Sequence, residues 1–334
     1  MIYNGDIIDG VPVITKLDVS HLERGKIYRF MFKSVEMNIG QSWYVPVMVA
    51  VGKMPGKRLL LNTGIHGDEL NGIKVIQDIF STLDPNQLAG VVIGTLQASP
   101  NSLMHTSRYW YMTTDGSDYA DMNRLFPGKV TGNTAERHAY KLWNDLWHEN
   151  VDMVIDLHTQ STDTVYSFFM YADLSIPEVK SMALQFPADH IYDDKDASGT
   201  VEGTFDSVGI PAITLELGSP RIFEPEYIAR AIEGIYNLML DKQMITDYKG
   251  RKATDFGTII GNKLSSIRAE VGGYAEVLVK IGASVKIGEE IAIQKNPFGD
   301  LIKRYEAPNE GVVVSIGTGA TREAGGLLVR LLSK

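Results

Sequence analysis

Short apolar runs that alternate with amphipathic stretches constrain this chain more than any other feature of its sequence. KRLLLNTG reads as a buried strand, and ELNGIKVIQDIFSTL as a helix with Ile73, Ile76, Ile79 and Phe80 on one face. GVVIGTLQAS is the next strand, TAERHAYKLWNDLW a second amphipathic helix and VDMVIDLH a third strand; GIPAITLELG and EPEYIARAIEGIYNLML repeat the pair. Upstream, KIYRFMFKS and SWYVPVMVAVG are rich in β-branched and aromatic residues at strand lengths. Such alternation predicts an α/β fold: a mixed, partly parallel sheet flanked by helices, with its chemistry where strands end and loops begin.

The pattern stops at the polar segment DYKGRKATDFGT, so residues 1–255 are expected to form one domain and 260–334 a second. The second part repeats itself. AEVGGYAEVLVKIGASVKIGEEIAI and APNEGVVVSIGTGATREAGGLLVRL align with Ala269 on Ala307, Gly273 on Gly311 and Gly288 on Gly326. Short strands and glycine turns repeated twice predict a small β-sandwich of two interlocked halves.

With 334 residues, two packed cores are the natural expectation. The net charge of -9 comes from the first part, where 22 Lys/Arg face 33 Asp/Glu before residue 260, while the rest is close to neutral with ten against eight. A field of that sign argues against nucleic acid or an anionic membrane as partner, and an anionic substrate must meet local arginines. There are no cysteines, which leaves metal binding to His, Asp and Glu. The start MIYNGDIIDGVPV lacks a basic region before an apolar run, and no apolar stretch has the length of a membrane span. A cytoplasmic, non-membrane protein is the expectation, and a homo-oligomer stays open.

Within NTGIHGDELNG, His66 and Glu69 stand where a strand gives way to a helix. An imidazole and a carboxylate there are half of a zinc site; an acid in a first helical turn is also favoured by the helix dipole alone. His158, at the end of VDMVIDLH, is the candidate third ligand, and two histidines with one glutamate leave a position open for catalysis. Glu216, inside the apolar run of TLELGSP, is costly to bury without a task or a partner; near a metal it is a general base. SRYWYMTTDGSDYADMNRLFPG offers Arg108, Asn123 and Arg124 as candidates in a loop-like region, and the compact DMNR group, a guanidinium beside an amide, suits a carboxylate held by two parallel hydrogen bonds. There is no P-loop, no GxSxG elbow and no RNA-binding motif.

Taken in order, H-G-D-E, R-Y, D-M-N-R-L-F, D-L-H and L-E-L-G resemble the succinylglutamate desuccinylase and aspartoacylase family of zinc carboxypeptidase-like hydrolases. The resemblance covers the whole chain, with the last part similar to the β-rich C-terminal domain of longer members. It implies one zinc ion held by His66, Glu69 and His158, with Glu216 as general acid/base and Arg108 polarising the scissile carbonyl. Asn123 and Arg124 would hold the substrate carboxylate, and Asp121 would orient a metal-binding histidine. Asp156, two residues before His158, is either a similar partner or structural. Asp68 stands where members often carry Asn, which adds a negative charge beside the metal and disfavours an acidic acyl group. The insert YWYMTTDGSDY between Arg108 and Asp121 is longer than in short members.

The implied activity is a zinc-dependent amidohydrolase, a deacylase cleaving the amide of a small N-acylated amino acid or related carboxylate. A metallocarboxypeptidase acting on short peptides and a non-enzymatic scaffold or carrier are the alternatives. The C-terminal repeat also resembles a biotinyl or lipoyl carrier, but Lys295 in IAIQKNPFGD lacks the usual methionine neighbour, which favours a lid over the active-site entrance.

Overall fold

A computed structural model of the protein describes residues 1–113 and 118–334. Its main feature is an eleven-stranded mixed sheet. At the sheet's centre Met54–Thr63, Met153–His158 and Ala212–Leu217 run parallel as neighbours. Phe168–Ala172 pairs antiparallel beyond them, and the Ser42–Val51 and Lys26–Glu36 ribbon extends the opposite side through Ala89–Thr95. The helices Asn71–Thr82 and Pro225–Asp241 cover one face, with Ile73, Ile76, Ile79 and Phe80 packed on Leu61, Ile155, Ile213 and Leu215. Thr134–Lys141 and Val201–Ser207 cover the other, through Ala135, Ala139, Val201 and Phe205 on Leu60, Val154 and Ala212. The mixed α/β class expected from the alternation is the one observed.

Period-two alternation along the central strands separates oil from chemistry. Leu61, Ile155, Leu157, Ile213, Leu215 and Leu217 point into the first core. Their neighbours are paired across the strands: Asn62 with Asp156, Asp156 with Thr214, and His158 with Glu216. Residues directly opposite share a face, so these five side chains line one face at the C-terminal ends of three parallel strands.

Two local details differ from the sequence reading. The helix begins at Asn71, so Glu69 lies before its first turn; Leu70 is the N-cap residue, without a side-chain cap bond. The carboxylate of Glu69 is taken by histidines and is not available to the helix. The second amphipathic helix is α-helical only through Thr134–Lys141, after a capping box of Asn133 and Glu136, and continues as a π-helical turn over Leu142–Trp147.

The polar segment near residue 250 contains the short helix Ala253–Phe256, ended by Gly257 in the left-handed conformation, φ 78°. Ile259–Gly261 then joins the large sheet before the chain enters the C-terminal sandwich. There, sheets of five and four strands enclose a core in which Ala269 and Ala307, the matched alanines of the repeat, are both buried. One strand of the five-stranded sheet comes from elsewhere: Thr164–Tyr166 pairs antiparallel with Gly311–Gly317. Lys295 ends its strand and donates to Glu276 at 2.7 Å, while Phe298 occupies the exposed hairpin tip.

Candidate metal centre and active site

His66, Glu69 and His158 are brought together, with ligand atoms of the three within 4.8 Å of one another and all three side chains buried. Glu69 Oε1 lies 2.9 Å from His66 Nδ1, and its Oε2 lies 2.7 Å from His158 Nδ1. The outward nitrogens meet carboxylates of their own: His66 Nε2 is 3.0 Å from Asp121 Oδ1 and His158 Nε2 is 2.8 Å from Asp156 Oδ2. An acceptor on Nε2 holds the proton there and leaves the lone pair on Nδ1, the tautomer a metal-binding imidazole needs. The donor set of two imidazoles and one carboxylate therefore fits a zinc ion with an open position.

The loop after each strand builds the rest. Gly67 permits the turn between His66 and Glu69 to press on the next segment: a Cβ there would meet the Ser102 carbonyl at 2.0 Å. Ser161 Oγ donates to Glu69 Oε1 at 3.0 Å and accepts from Arg108 Nη1 at 2.8 Å. Arg108 also grips Asp121 Oδ2 through Nε and Nη2, at 3.1 and 2.8 Å. Asp121 thus joins His66 to Arg108. Burial alone would raise its carboxyl, but the hydrogen bond from His66 and the charges of His66 and Arg108 hold it well below the usual carboxylate range.

Glu69 behaves alike: burial opposes ionisation, yet the two imidazoles hold it far below its ordinary value. Glu216 goes the other way. Burial and then the charge of Glu69 push it up to about 8, against the pull of His158, Arg108 and Arg330. Its Oε2 is buried without a hydrogen-bond partner among the described residues. A carboxyl with a proton-holding tendency and a free oxygen beside a candidate metal centre is equipped to exchange protons.

These groups border a cavity of about 620 Å³ that includes His66, His158, Arg108, Glu216, Asn123 and Arg124 in its lining. Asn123 Oδ1 accepts from Val201 N at 2.9 Å at the start of the helix Val201–Ser207, and Arg124 Nη1 donates to the Asn123 carbonyl at 2.7 Å. Asp68 is not among the lining residues: its Oδ2 accepts from Thr162 N and Oγ1, at 2.9 and 2.8 Å, and its Oδ1 is buried without a hydrogen-bond partner among the described residues. Of the insert after Arg108, residues 114–117 lie outside the described residues; Trp110–Met112 and Asp118–Ala120 form a two-stranded ribbon.

Residues 55–241 match the family model of the succinylglutamate desuccinylase/aspartoacylase catalytic domain, more than half of the chain. The chain belongs to this family. A relative of this desuccinylase/aspartoacylase member, the N-alpha-acetyl-L-2,4-diaminobutyric acid deacetylase of Halomonas elongata, is 25% identical over 281 residues, 81% of this chain and 80% of that one. Among solved structures, the product-bound ectoine utilization protein EutE (DoeB) from Ruegeria pomeroyi superposes with a TM-score of 0.82 at 19% identity, covering 94% and 97% of the two chains. A succinylglutamate desuccinylase/aspartoacylase from Rhodobacter sphaeroides gives 0.81 at 19% identity, covering 95% and 97%.

Several lining residues escaped the sequence reading: Gln160, Ser161, Tyr166, Tyr171, Glu202 and Arg330. Two of them carried a signal. Glu202 follows the helix-capping Thr200, and Arg330 interrupts the apolar run LLVRLLS. The tyrosines look like ordinary strand residues.

Proposed function

We propose that the protein is a zinc-dependent deacylase that hydrolyses the amide bond of a small N-acylated amino acid. The observation that carries this reading is the convergence of His66, Glu69 and His158 beside the unpartnered oxygen of Glu216, inside one cavity of small-substrate size. Zinc bound at the three ligands supplies Lewis-acid polarisation of the amide carbonyl and acidifies water toward neutral pH. Glu216 takes the proton of the attacking water and returns it to the departing amine. Arg108, held in place by Asp121 and Ser161, faces the oxygen on which negative charge develops. Arg124 and Asn123 hold the substrate carboxylate, and Asp121 and Asp156 keep the two histidines in the ligating tautomer.

The cavity also presents Asp194, Asp196 and Glu202. A lining with both guanidinium and carboxyl groups suits an amino acid that carries an ammonium on its side chain, as does the diaminobutyric compound named for the Halomonas relative. An acetyl group is the favoured acyl, as in the N-alpha-acetyl compound named for the Halomonas relative.

The test is Glu216→Gln, which is expected to retain stoichiometric zinc while losing about 10² to 10⁴ in kcat. Wild-type turnover in that variant removes Glu216 from the mechanism. A panel of N-acetyl and N-succinyl amino acids beside short peptides decides the substrate class: cleavage of peptides alone makes the protein a carboxypeptidase.

A further inference from the structure

We propose that Arg330, carried by the C-terminal sandwich, binds the carboxylate of the substrate's amino-acid moiety together with Arg124. The proposal rests on the reading of the cavity as a deacylase site.

Arg330 sits mid-strand in Leu327–Ser333, between residues whose neighbours Val329, Leu331 and Leu332 are fully or almost fully buried. Two positions on, Leu332 packs with Tyr166, Phe169 and Val314, where the sandwich meets the large sheet. Arg330 shares that face by period two, so its side chain is directed at the catalytic part and lines the cavity there.

The partners of its guanidinium are all neutral. Nε donates to Ser266 Oγ at 3.0 Å, and Nη1 donates to Tyr166 Oη and, at 3.4 Å, to Tyr171 Oη. The Tyr166 ring lies beneath the cation at 5.6 Å, and the two hydroxyls hold one another at 2.6 Å. Among the described residues no carboxylate pairs with it, and Nη2 makes no hydrogen bond to the protein. The chain treats comparable arginines differently: Arg108 is paired with Asp121, and the buried Arg230 with Asp189.

A partly buried guanidinium without an acid is expensive unless an anion visits it. The stacking and the Ser266 bond fix its plane, and a fixed fork with a free edge matches a carboxylate held by two parallel bonds. Glu216 does not serve as that anion: the two attract at a distance, but no hydrogen bond joins them. Beside Arg124, whose guanidinium donates to the Asn123 carbonyl, the C-terminal part thus supplies the pocket with a second cation that has no acid of its own among the described residues.

The experiment compares N-α-acetyl-L-2,4-diaminobutyrate with its α-carboxamide on zinc-loaded full-length protein, wild type, Arg330→Met and Arg330→Lys, by kinetics and by calorimetric binding to the Glu216→Gln background. Arg330→Met is expected to raise KM for the acid by roughly 10- to 100-fold, with kcat changed by less than about threefold. KM for the amide should stay put, so the acid-over-amide preference collapses. Arg330→Lys, which keeps the charge and loses the fork, should fall between. An unchanged acid-over-amide ratio in folded Arg330→Met and Arg330→Lys overturns the proposal, as does a kcat loss at constant KM. Acid that binds wild-type protein without turnover sinks the deacylase reading while leaving Arg330 to be judged by the binding ratio; acid that does not bind sinks both.

Discussion

Asp156→Asn probes the centre without touching a ligand. Asp156 bridges two groups: Oδ1 accepts from Asn62 Nδ2 at 2.7 Å, and Oδ2 lies 2.8 Å from His158 Nε2. Charge aside, the substitution is nearly isosteric, so packing should survive. Asn can keep one acceptor only. If its oxygen stays on Asn62, its amide faces His158 Nε2, which must then become the acceptor, moving the imidazole proton to Nδ1. Nδ1 is the atom turned toward Glu69, 2.7 Å away, and a protonated Nδ1 cannot ligate.

Loss of such a carboxylate partner commonly weakens metal binding by about 10- to 100-fold, or about 1.4–2.7 kcal/mol. Burial opposes a charge on His158, and Asp156 with Glu69 raises its proton affinity far above the ordinary value. In the zinc-free protein the substitution therefore also shifts His158 toward the neutral form, which favours metal and makes the lower end of that range the better expectation. Zinc affinity is read by chelator competition at fixed pH, with melting followed in parallel. An unchanged zinc Kd in a folded Asp156→Asn protein refutes the tautomer argument and makes Asp156 merely a partner of Asn62.

Gly67→Ala should abolish tight zinc binding and lower Tm, since its methyl group would need space occupied by the Ser102 carbonyl; wild-type zinc affinity there shows that the turn can shift freely. Asp206 is lifted by burial to about 7, against about 3.9 when exposed, so the stability it contributes is complete below about pH 4 and is lost as pH rises through 7. Asp206→Asn keeps an acceptor for Ala212 N and is expected to add about 1–2 kcal/mol at pH 8.5, after a discount for partial exposure, and little at pH 5; an equal gain at both pH values contradicts the assignment. Leu332→Ala should cost about 2–5 kcal/mol in denaturant unfolding and also weaken zinc affinity, where a domain that merely covers the entrance would leave the zinc Kd untouched.

The strands and helices were legible because their apolar periods are strong: Ile73, Ile76, Ile79 and Phe80 pack together, and Met153–His158 and Ala212–Leu217 fall where the runs place them. His66, Glu69 and His158 were legible because they stand where apolar strands end, Glu216 because it interrupts such a run, and Asp121 only through the family resemblance. The two roles left open for Glu69 were separated only by geometry, since a helix start one or two residues away is invisible in composition. Asp68 illustrates the opposite case. Sequence puts its charge next to a ligand, but the backbone turn sends it to Thr162, and neighbourhood along the chain is not neighbourhood in the cavity. Tyr166, Tyr171 and Arg330 were not legible as a group because the two tyrosines look like ordinary strand residues and Arg330 reaches them only across a long sequence separation.

The pairing of Thr164–Tyr166 with Gly311–Gly317 ties the candidate metal centre to the sandwich. The segment leaving His158 spends its first residues on Glu69, through Thr159 N at 3.3 Å and Ser161 Oγ at 3.0 Å. Within three more residues the same segment is the edge strand Thr164–Tyr166 of the C-terminal sheet, locked again where Ser167 N donates to the Val314 carbonyl and Thr318 N to the Asp163 carbonyl. Five residues of loop have little slack, so the pose of Ser161 against Glu69 and Arg108 depends on where the sheet holds Thr164. Arg322 Nη2 adds a further bond from the sandwich to the Asp163 carbonyl, at 2.6 Å. A carrier domain must swing and a simple lid must open; a sheet that takes a strand from the loop after His158 does neither without moving Ser161, the hydrogen-bond partner of Glu69. The sandwich, which lends Arg268, Leu327 and Arg330 to the cavity lining, is therefore better understood as a wall of the candidate site than as an appendage to it.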